Sequence, residues 1–274
     1  MVATMFSKNG VLTSLSEAYV SLHSIEYTYG FGVYETIRVR HKSPLFVYDH
    51  LERLGTSAEI LGLEHAFSQA LILKSITDLI SAIEDDTYNL KILLIGAATA
   101  EGAVMYILAS NPHYPDKKLY ATGVSVITKN FERVFPHAKS LNMLQSYLAY
   151  RDAKKVGAYD ALLVNTLGCV TEGTRTNFFA LKGDTIISPP SDKILLGVTR
   201  KHVIEVAQSL GFLYEERALP LSELATFDSI FLTSTSTKIM PIARVDEVVY
   251  PEIRDALRTL MRAYDAFHER GTLR

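Results

Sequence analysis

Lys139 stands just ahead of a helical run, and Glu172 precedes a small polar loop, Gly173-Thr174-Arg175-Thr176-Asn177. Between them lie an apolar strand, Ala161 to Val164, and a short turn, Asn165 to Gly168. A lysine amine can form a Schiff base with an aldehyde, and a buried carboxylate can hold a pyridine nitrogen protonated. Those are the two groups that pyridoxal phosphate chemistry requires of a protein. Most lysines are solvated surface charges, and a glutamate beside a glycine can face water. Spacing alone therefore leaves both readings open.

The elements that must position these groups can be read in order. Asn9-Gly10 marks a turn before strands expected over 11–22. From Tyr27 to Val39 the glycines allow close backbone approach, and the second half alternates Val33, Glu35, Ile37, Val39 against Tyr34, Thr36, Arg38. One face is core; the other turns Tyr34 and Arg38 into a cavity or, at a sheet edge, into solvent. Asp49 is expected to cap an amphipathic helix carrying Leu51, Leu54, Ala58 and Leu61, which Gly62 ends. Arg53 on that helix pairs with Asp49 or is available to an anion. A second helix is expected over 66–83, then strands over 90–97 and 104–109, the first with a lone charge, Lys91. Prolines and polar residues over 111–119 read as a linker between an N-terminal domain, 1–110, and a larger domain, 120–274.

The second part opens with a β run over 120–128. Leu195 to Arg200 then leads into a helix expected over 201–210, whose free amides favour an anion, with the Thr199 hydroxyl as a further donor. Thr233 to Thr237 is a run of hydroxyl side chains, either an oxyanion-binding loop or a solvated one. An amphipathic helix over 252–268 closes the chain.

Composition narrows the class. The 274 residues are 48% hydrophobic and 21% charged, enough for two modest cores. A net charge of −2 gives no general attraction to nucleic acid or acidic membranes. The single cysteine, Cys169, excludes an internal disulfide framework and suits a reducing cytoplasm. The N-terminus lacks the layout of a secretory signal, and no apolar run approaches the roughly 20 residues needed to span a bilayer.

Several motifs occur in register: H-L-E-R-L from His50, K-S-L-N from Lys139, T-E-G-T-R-T-N-F-F from Thr171, L-L-G-V-T-R from Leu195 and S-T-S-T-K-I-M-P from Ser234. Together they resemble the class IV aminotransferases, the fold-type IV pyridoxal phosphate enzymes, from about Gly30 to Asp246. That family includes branched-chain aminotransferases, D-amino-acid aminotransferases and aminodeoxychorismate lyases. The resemblance implies an α/β (α+β) chain of two domains with the cofactor site at their interface. Lys139 would then carry the Schiff base and move the proton, and Glu172 would hold the ring nitrogen protonated. Arg53, Val198, Thr199, Thr235 and Ser236 would hold the phosphate end, and Leu195 would pack against the ring. Tyr29, Tyr34, Arg38, Lys91, Arg175 and Thr237 would face the substrate, and the assembly would be a homodimer.

Two departures bear on the substrate. Met143 follows Asn142 where branched-chain enzymes have a tyrosine, so the run is closer to D-amino-acid enzymes. The R-x-H carboxylate trap of D-specific relatives is missing from Leu93 to Ala98, a role Arg175 could take over. The expectation is an aminotransferase acting between an amino acid, D-amino acids being favoured, and a 2-oxo acid. The alternatives are a branched-chain L-amino-acid aminotransferase, an aminodeoxychorismate lyase and a non-catalytic small-molecule binding protein.

Overall fold

A computed structural model describes residues 3–20, 25–111 and 114–270. The chain divides into two compact units. Ala138–Asn142 groups with the N-terminal part of the chain, and Tyr114–His137 groups with Met143–Arg270.

The N-terminal unit is an antiparallel six-stranded sheet with helices against it. Its strands are β1 (Met5–Lys8), β2 (Val11–Ser14), β3 (Gly32–Arg40), β4 (Ser43–Pro44), β5 (Thr87–Ile95) and β6 (Val104–Ser110), in the order β2-β1-β6-β5-β3-β4. Its helices are α1 (Ile25–Thr28), α2 (Val47–Ile60) and α3 (Gln69–Ala82). The alternation in β3 holds: Val33, Ile37 and Val39 join a core with Leu90, Ile92 and Leu94 of β5 and Leu51, Leu54 and Ala58 of α2. After Ser14 the chain turns into a short 3₁₀ helix, Leu15–Glu17, where strand was expected; residues 21–22 of that expectation lie outside the described ones. Helix α2 begins two residues before Asp49. Phe46 precedes it in the left-handed region at φ 52° and buries its ring, so Asp49 lies in the first turn and is not the cap.

The second unit contains β7 (Val124–Asn130), β8 (Asp160–Val164), β9 (Cys169–Gly173), β10 (Asn177–Lys182), β11 (Thr185–Ser188), β12 (Leu213–Glu216), β13 (Leu219–Pro220), β14 (Ser229–Ser234), β15 (Lys238–Val245) and β16 (Val248–Val249). Strands β10-β14-β15-β7-β8-β9 run in sequence, and β9 returns to β10 through the pair Glu172–Asn177, closing a ring. Val126, Leu162, Val170, Phe178, Ile230, Leu232 and Met240 form one cluster drawn from all six strands. Helices α6 (Val198–Ser209) and α7 (Asp255–Arg270) bury a second cluster around Phe179, Phe231 and Leu260, and Ala149 and Ala153 of α5 (Leu144–Lys155) pack on β8. The β run expected from Tyr120 starts later. Asp116 caps a helix, α4 (Lys117–Thr122), by accepting the Lys118 amide at 2.8 Å, and this helix takes the end of the expected linker as well. Residues 112–113 of that linker lie outside the described ones.

Ala138–Asn142 is tied to the start of β3. The Tyr34 N–H donates to the Lys139 carbonyl at 2.9 Å, and the Leu141 N–H donates to the Gly32 carbonyl at 2.8 Å. Gly32 permits the approach: a Cβ there would stand 2.7 Å from a Leu141 methyl and 2.8 Å from the Leu94 carbonyl oxygen. Gly32→Ala is expected to cost about 1–3 kcal/mol by overpacking. Gly55, inside α2, has open space around it, and Gly55→Ala is expected to gain roughly 0.5–1 kcal/mol. Thermal melts of the two variants should shift in opposite directions; an unshifted Gly32→Ala melt would disprove the close-approach argument.

Candidate active site

Lys139 is half-buried, its backbone amide donating to Ser57 Oγ at 3.0 Å. Its Nζ lies 4.5 Å from the Tyr34 ring centroid, and Lys91 Nζ lies 5.6 Å from the same centroid. Lys91 reaches there because it pairs with Thr36 across β3 and β5, on the face that carries Tyr34. It is a half-buried mid-strand residue, because β5 starts three residues before the expected 90. Tyr34, Lys91 and Lys139 are thus brought together within the N-terminal unit. Arg38 shares that face opposite Asn89, whereas Tyr29 follows α1 in a turn and is 78% exposed.

The other face of β3 carries a buried charge. Glu35 is fully buried, and both its oxygens meet Arg53, Oε1 to Nε and Oε2 to Nη2, each at 2.7 Å. His50 Nδ1 is also 2.7 Å from Oε2. Burial alone would raise the Glu35 pKa. The charges and hydrogen bonds of Arg53 and His50 outweigh it and hold the carboxyl well below the usual range. Burial pushes His50 down more than Glu35 pulls it up, so the ring is a neutral donor through Nδ1. One edge of Arg53 is thereby locked in a two-point fork. Sequence reasoning found Arg53 and missed Glu35, whose place on the core face gave the available signal.

In the second unit Glu172 is 2% exposed at the seam of the ring. Arg133 Nε lies 2.7 Å from Glu172 Oε1, an ion pair whose N–H···O angle is too bent for a hydrogen bond, and Arg133 Nη2 donates to the Thr174 carbonyl at 3.0 Å. The Leu195 amide stands 3.4 Å from Glu172 Oε2, and the Leu195 carbonyl accepts from Asn177 Nδ2 at 2.7 Å. Leu195 itself is buried. Arg133 was missed: a lone arginine in an irregular segment carries no periodic signal.

Helix α6 begins at Val198, three residues earlier than expected, so Val198 and Thr199 form its first turn, both buried. Gly197 precedes it without a side-chain cap, and a Cβ there would run into Asn177 Oδ1. Such a start leaves amide donors for an anion. Thr233 Oγ1 is buried with no hydrogen-bond partner among the described residues. Beyond it Thr235 and Ser236 are half-buried in the turn between β14 and β15, with Ser234 Oγ and Thr237 Oγ1 2.7 Å apart. Arg175 is exposed at the tip of the β9–β10 turn, its guanidinium carbon 3.9 Å from the Tyr150 ring centroid. Among the described residues it pairs with no acid. No group of residues able to hold a metal ion occurs among them either.

Removing the Glu35 charge tests the first of these networks. The depressed carboxyl contributes stability above its unfolded value and loses it as pH falls below the ordinary 4.5. Glu35→Gln is expected to cost about 3–5 kcal/mol near neutrality by stranding Arg53. The gap from wild type should shrink as unfolding is measured at successively lower pH. A gap that stays constant into acid would refute the charge argument.

Residues 32–245 match the family model for amino-transferase class IV. The D-alanine aminotransferase of Bacillus licheniformis is 31% identical over 251 residues, 87% of each chain. A probable branched-chain-amino-acid aminotransferase of Thermotoga maritima is 31% identical over 244 residues, 86% of each. The solved branched-chain aminotransferase of the thermophilic archaeon Thermoproteus uzoniensis, with norvaline, superposes with a TM-score of 0.88 at 26% identity, covering 97% of this chain and 95% of that one.

Proposed function

We propose, for a chain that belongs to the class IV aminotransferase family, that it moves an amino group between a D-amino acid and a 2-oxo acid with Lys139 as the working amine. The observation that carries this reading is the placement of Lys139, clamped by backbone bonds to β3 with its amine over the Tyr34 ring. A surface lysine has no need of either.

The residues present fit pyridoxal phosphate: an uncapped α6 start with the Thr199 hydroxyl and the unpartnered Thr233 hydroxyl suits a phosphate, and Glu172 suits a pyridinium. Bound, it supplies an aldehyde to capture amines and a ring that takes up electrons. Arg53, held by Glu35, would present a planar cation to the phosphate, and Val198, Thr199, Thr235 and Ser236 would supply the other contacts. Glu172, held by Arg133, keeps the ring nitrogen protonated, and Leu195 packs on the ring. Lys139 Nζ would be the base that takes up and releases the proton at the substrate Cα. Tyr34, Arg38 and Lys91 line the substrate side, with Tyr29 reaching it in an assembled homodimer. Arg175 and the turn at Thr237 receive the α-carboxylate. The D-hand rests on the K-S-L-N run, on Met143 in place of a tyrosine, and on Arg175 standing in for the missing R-x-H trap.

Dimerisation is supported by large apolar side chains exposed around Arg133 and the start of α5: Val134, Phe135, Leu144 and Tyr147. Sedimentation is expected to show a dimer, and a fully active monomer would contradict it.

Borohydride reduction followed by peptide mapping is expected to fix the cofactor to Lys139. Lys139→Ala should fold, yet lose about 10²–10⁴-fold or more in transamination. A label on another lysine would defeat the assignment. D-alanine with a 2-oxo acid acceptor should outrun L-leucine; the reverse order would make this a branched-chain L-enzyme. Pyruvate released from aminodeoxychorismate without any acceptor would make it a lyase.

A further inference from the structure

Arg175 is the exposed member of a turn that is otherwise buried and pinned. The Gly173 N–H donates to the Thr176 carbonyl at 2.8 Å, and Thr174 and Thr176 are both buried. Beneath them Asp160 accepts from Thr174 Oγ1 at 2.5 Å, from Thr176 Oγ1 at 3.1 Å and from the Ala161 amide at 2.8 Å. A Cβ at Gly173 would overlap the Thr176 hydroxyl, so the turn has little room to change shape. The Arg175 backbone is therefore set, while its long side chain has nothing in the turn itself to hold it.

Tyr150 supplies that hold. The guanidinium carbon lies 3.9 Å from the ring centroid, close enough for a face-on stack. The ring rides on α5, which Ala149 and Ala153 seat against β8. A guanidinium stacked by its face keeps its N–H donors in the plane, directed outward from the ring. Nearby, Tyr159 feels the Arg175 charge and is hydrogen-bonded to the Thr237 side chain; burial pushes its phenol up, so it stays a neutral O–H. Tyr120 Oη donates to the Thr237 carbonyl at 3.1 Å. Arg175 thus lies within electrostatic reach of Tyr159, which in turn meets the Thr237 side chain, and its guanidinium lies over the Tyr150 ring.

We propose that Tyr150 is a specificity-determining positioning residue: its ring holds the Arg175 guanidinium flat beside the Thr237 turn, ready for the carboxylate of an amino or oxo acid. This rests on the reading of Arg175 as the carboxylate partner. Without the ring, Arg175 keeps its charge but must be ordered by each incoming carboxylate, at a cost in rotamer entropy. Amines lacking a carboxylate never use the clamp.

The test compares holoenzyme of wild type, Tyr150→Leu, Tyr150→Met, Tyr150→Phe and Arg175→Ala on D-alanine and on (R)-1-phenylethylamine, with propionate binding followed by calorimetry. Two aliphatic variants guard against one that does not fold. The ratio of kcat/KM for D-alanine to that for the amine is expected to fall about two- to fivefold in the aliphatic variants, from loss of an exposed cation–π contact. The fall should lie in KM, propionate should weaken by the same factor, and Tyr150→Phe should restore both. An unchanged ratio and propionate affinity in the aliphatic variants, with Arg175→Ala still selective, would overturn the role of Tyr150 alone. Equal losses with both donors would make Tyr150 merely structural and overturn it too. No selective loss in Arg175→Ala would sink the carboxylate reading and this inference with it.

Discussion

The hydrogen bonds from the Tyr34 amide to the Lys139 carbonyl and from the Leu141 amide to the Gly32 carbonyl make Ala138–Asn142 a partner of β3 rather than a loop. Each contributes only about 0.5–1.5 kcal/mol net. Their effect is directional: a side chain leaving a paired backbone points to one face, and here that face carries Tyr34. The same strand hides Val33, Ile37 and Val39 in the core on its other side, so β3 cannot shift by one residue without exposing them. The hydrophobic register of the sheet therefore sets where a reactive amine points. Gly32 is the residue that lets the two backbones come so near.

Three buried carboxylates show how the chain places charge without leaving it stranded. Glu35 is met by a two-point arginine and a neutral histidine from one helix, which fixes an edge of Arg53. Glu172 is met by Arg133, which also ties down the Thr174 carbonyl. Asp160 is met by two threonine hydroxyls and an amide, with no cation bonded to it among the described residues. A buried ion pair is weak evidence for stability, because desolvation offsets much of its attraction. What these contacts do secure is geometry, since breaking one leaves a lone charge out of water. Each of them sits one step behind a residue proposed to touch cofactor or substrate.

The residues proposed to act were legible because they fall in motifs; those that position them were not. Lys139, Arg53 and Glu172 stand in runs whose order along the chain is itself informative. Glu35 could be placed on the core face of β3 by alternation, but its partners come from a helix whose packing a linear pattern does not give. Arg133 and Tyr150 lie in an irregular segment and on a helix face, where a single arginine or tyrosine has many uses. Helix starts were misplaced for local reasons. Phe46 in a left-handed conformation replaced a polar cap before α2, and Asp116 capped α4 across the end of the segment read as linker and the start of the one read as strand. Helix α6 began three residues early, entered from Gly197 without the polar side-chain cap that would have marked its start in the sequence.

The turn from Gly173 to Thr176 shows why so few residues can serve two ends. Glu172 precedes it and Arg175 stands within it, with opposite charge and opposite burial, and the turn is bonded to itself and to Asp160. Inside, Arg133 balances Glu172, and hydroxyls satisfy Asp160 without neutralising it. Arg175 is exposed and keeps its charge against the Tyr150 ring, which Lys154 Nζ also approaches at 5.1 Å. Tyr159 stands where Asp160 and Arg175 act on the same phenol in opposite senses, the first raising and the second lowering its pKa. An anion arriving at Arg175 would offset that lowering influence, and the phenol would stay protonated whether or not the anion is bound. A carboxylate is the anion whose flat, two-oxygen shape uses both the arginine plane and a neighbouring hydroxyl at once.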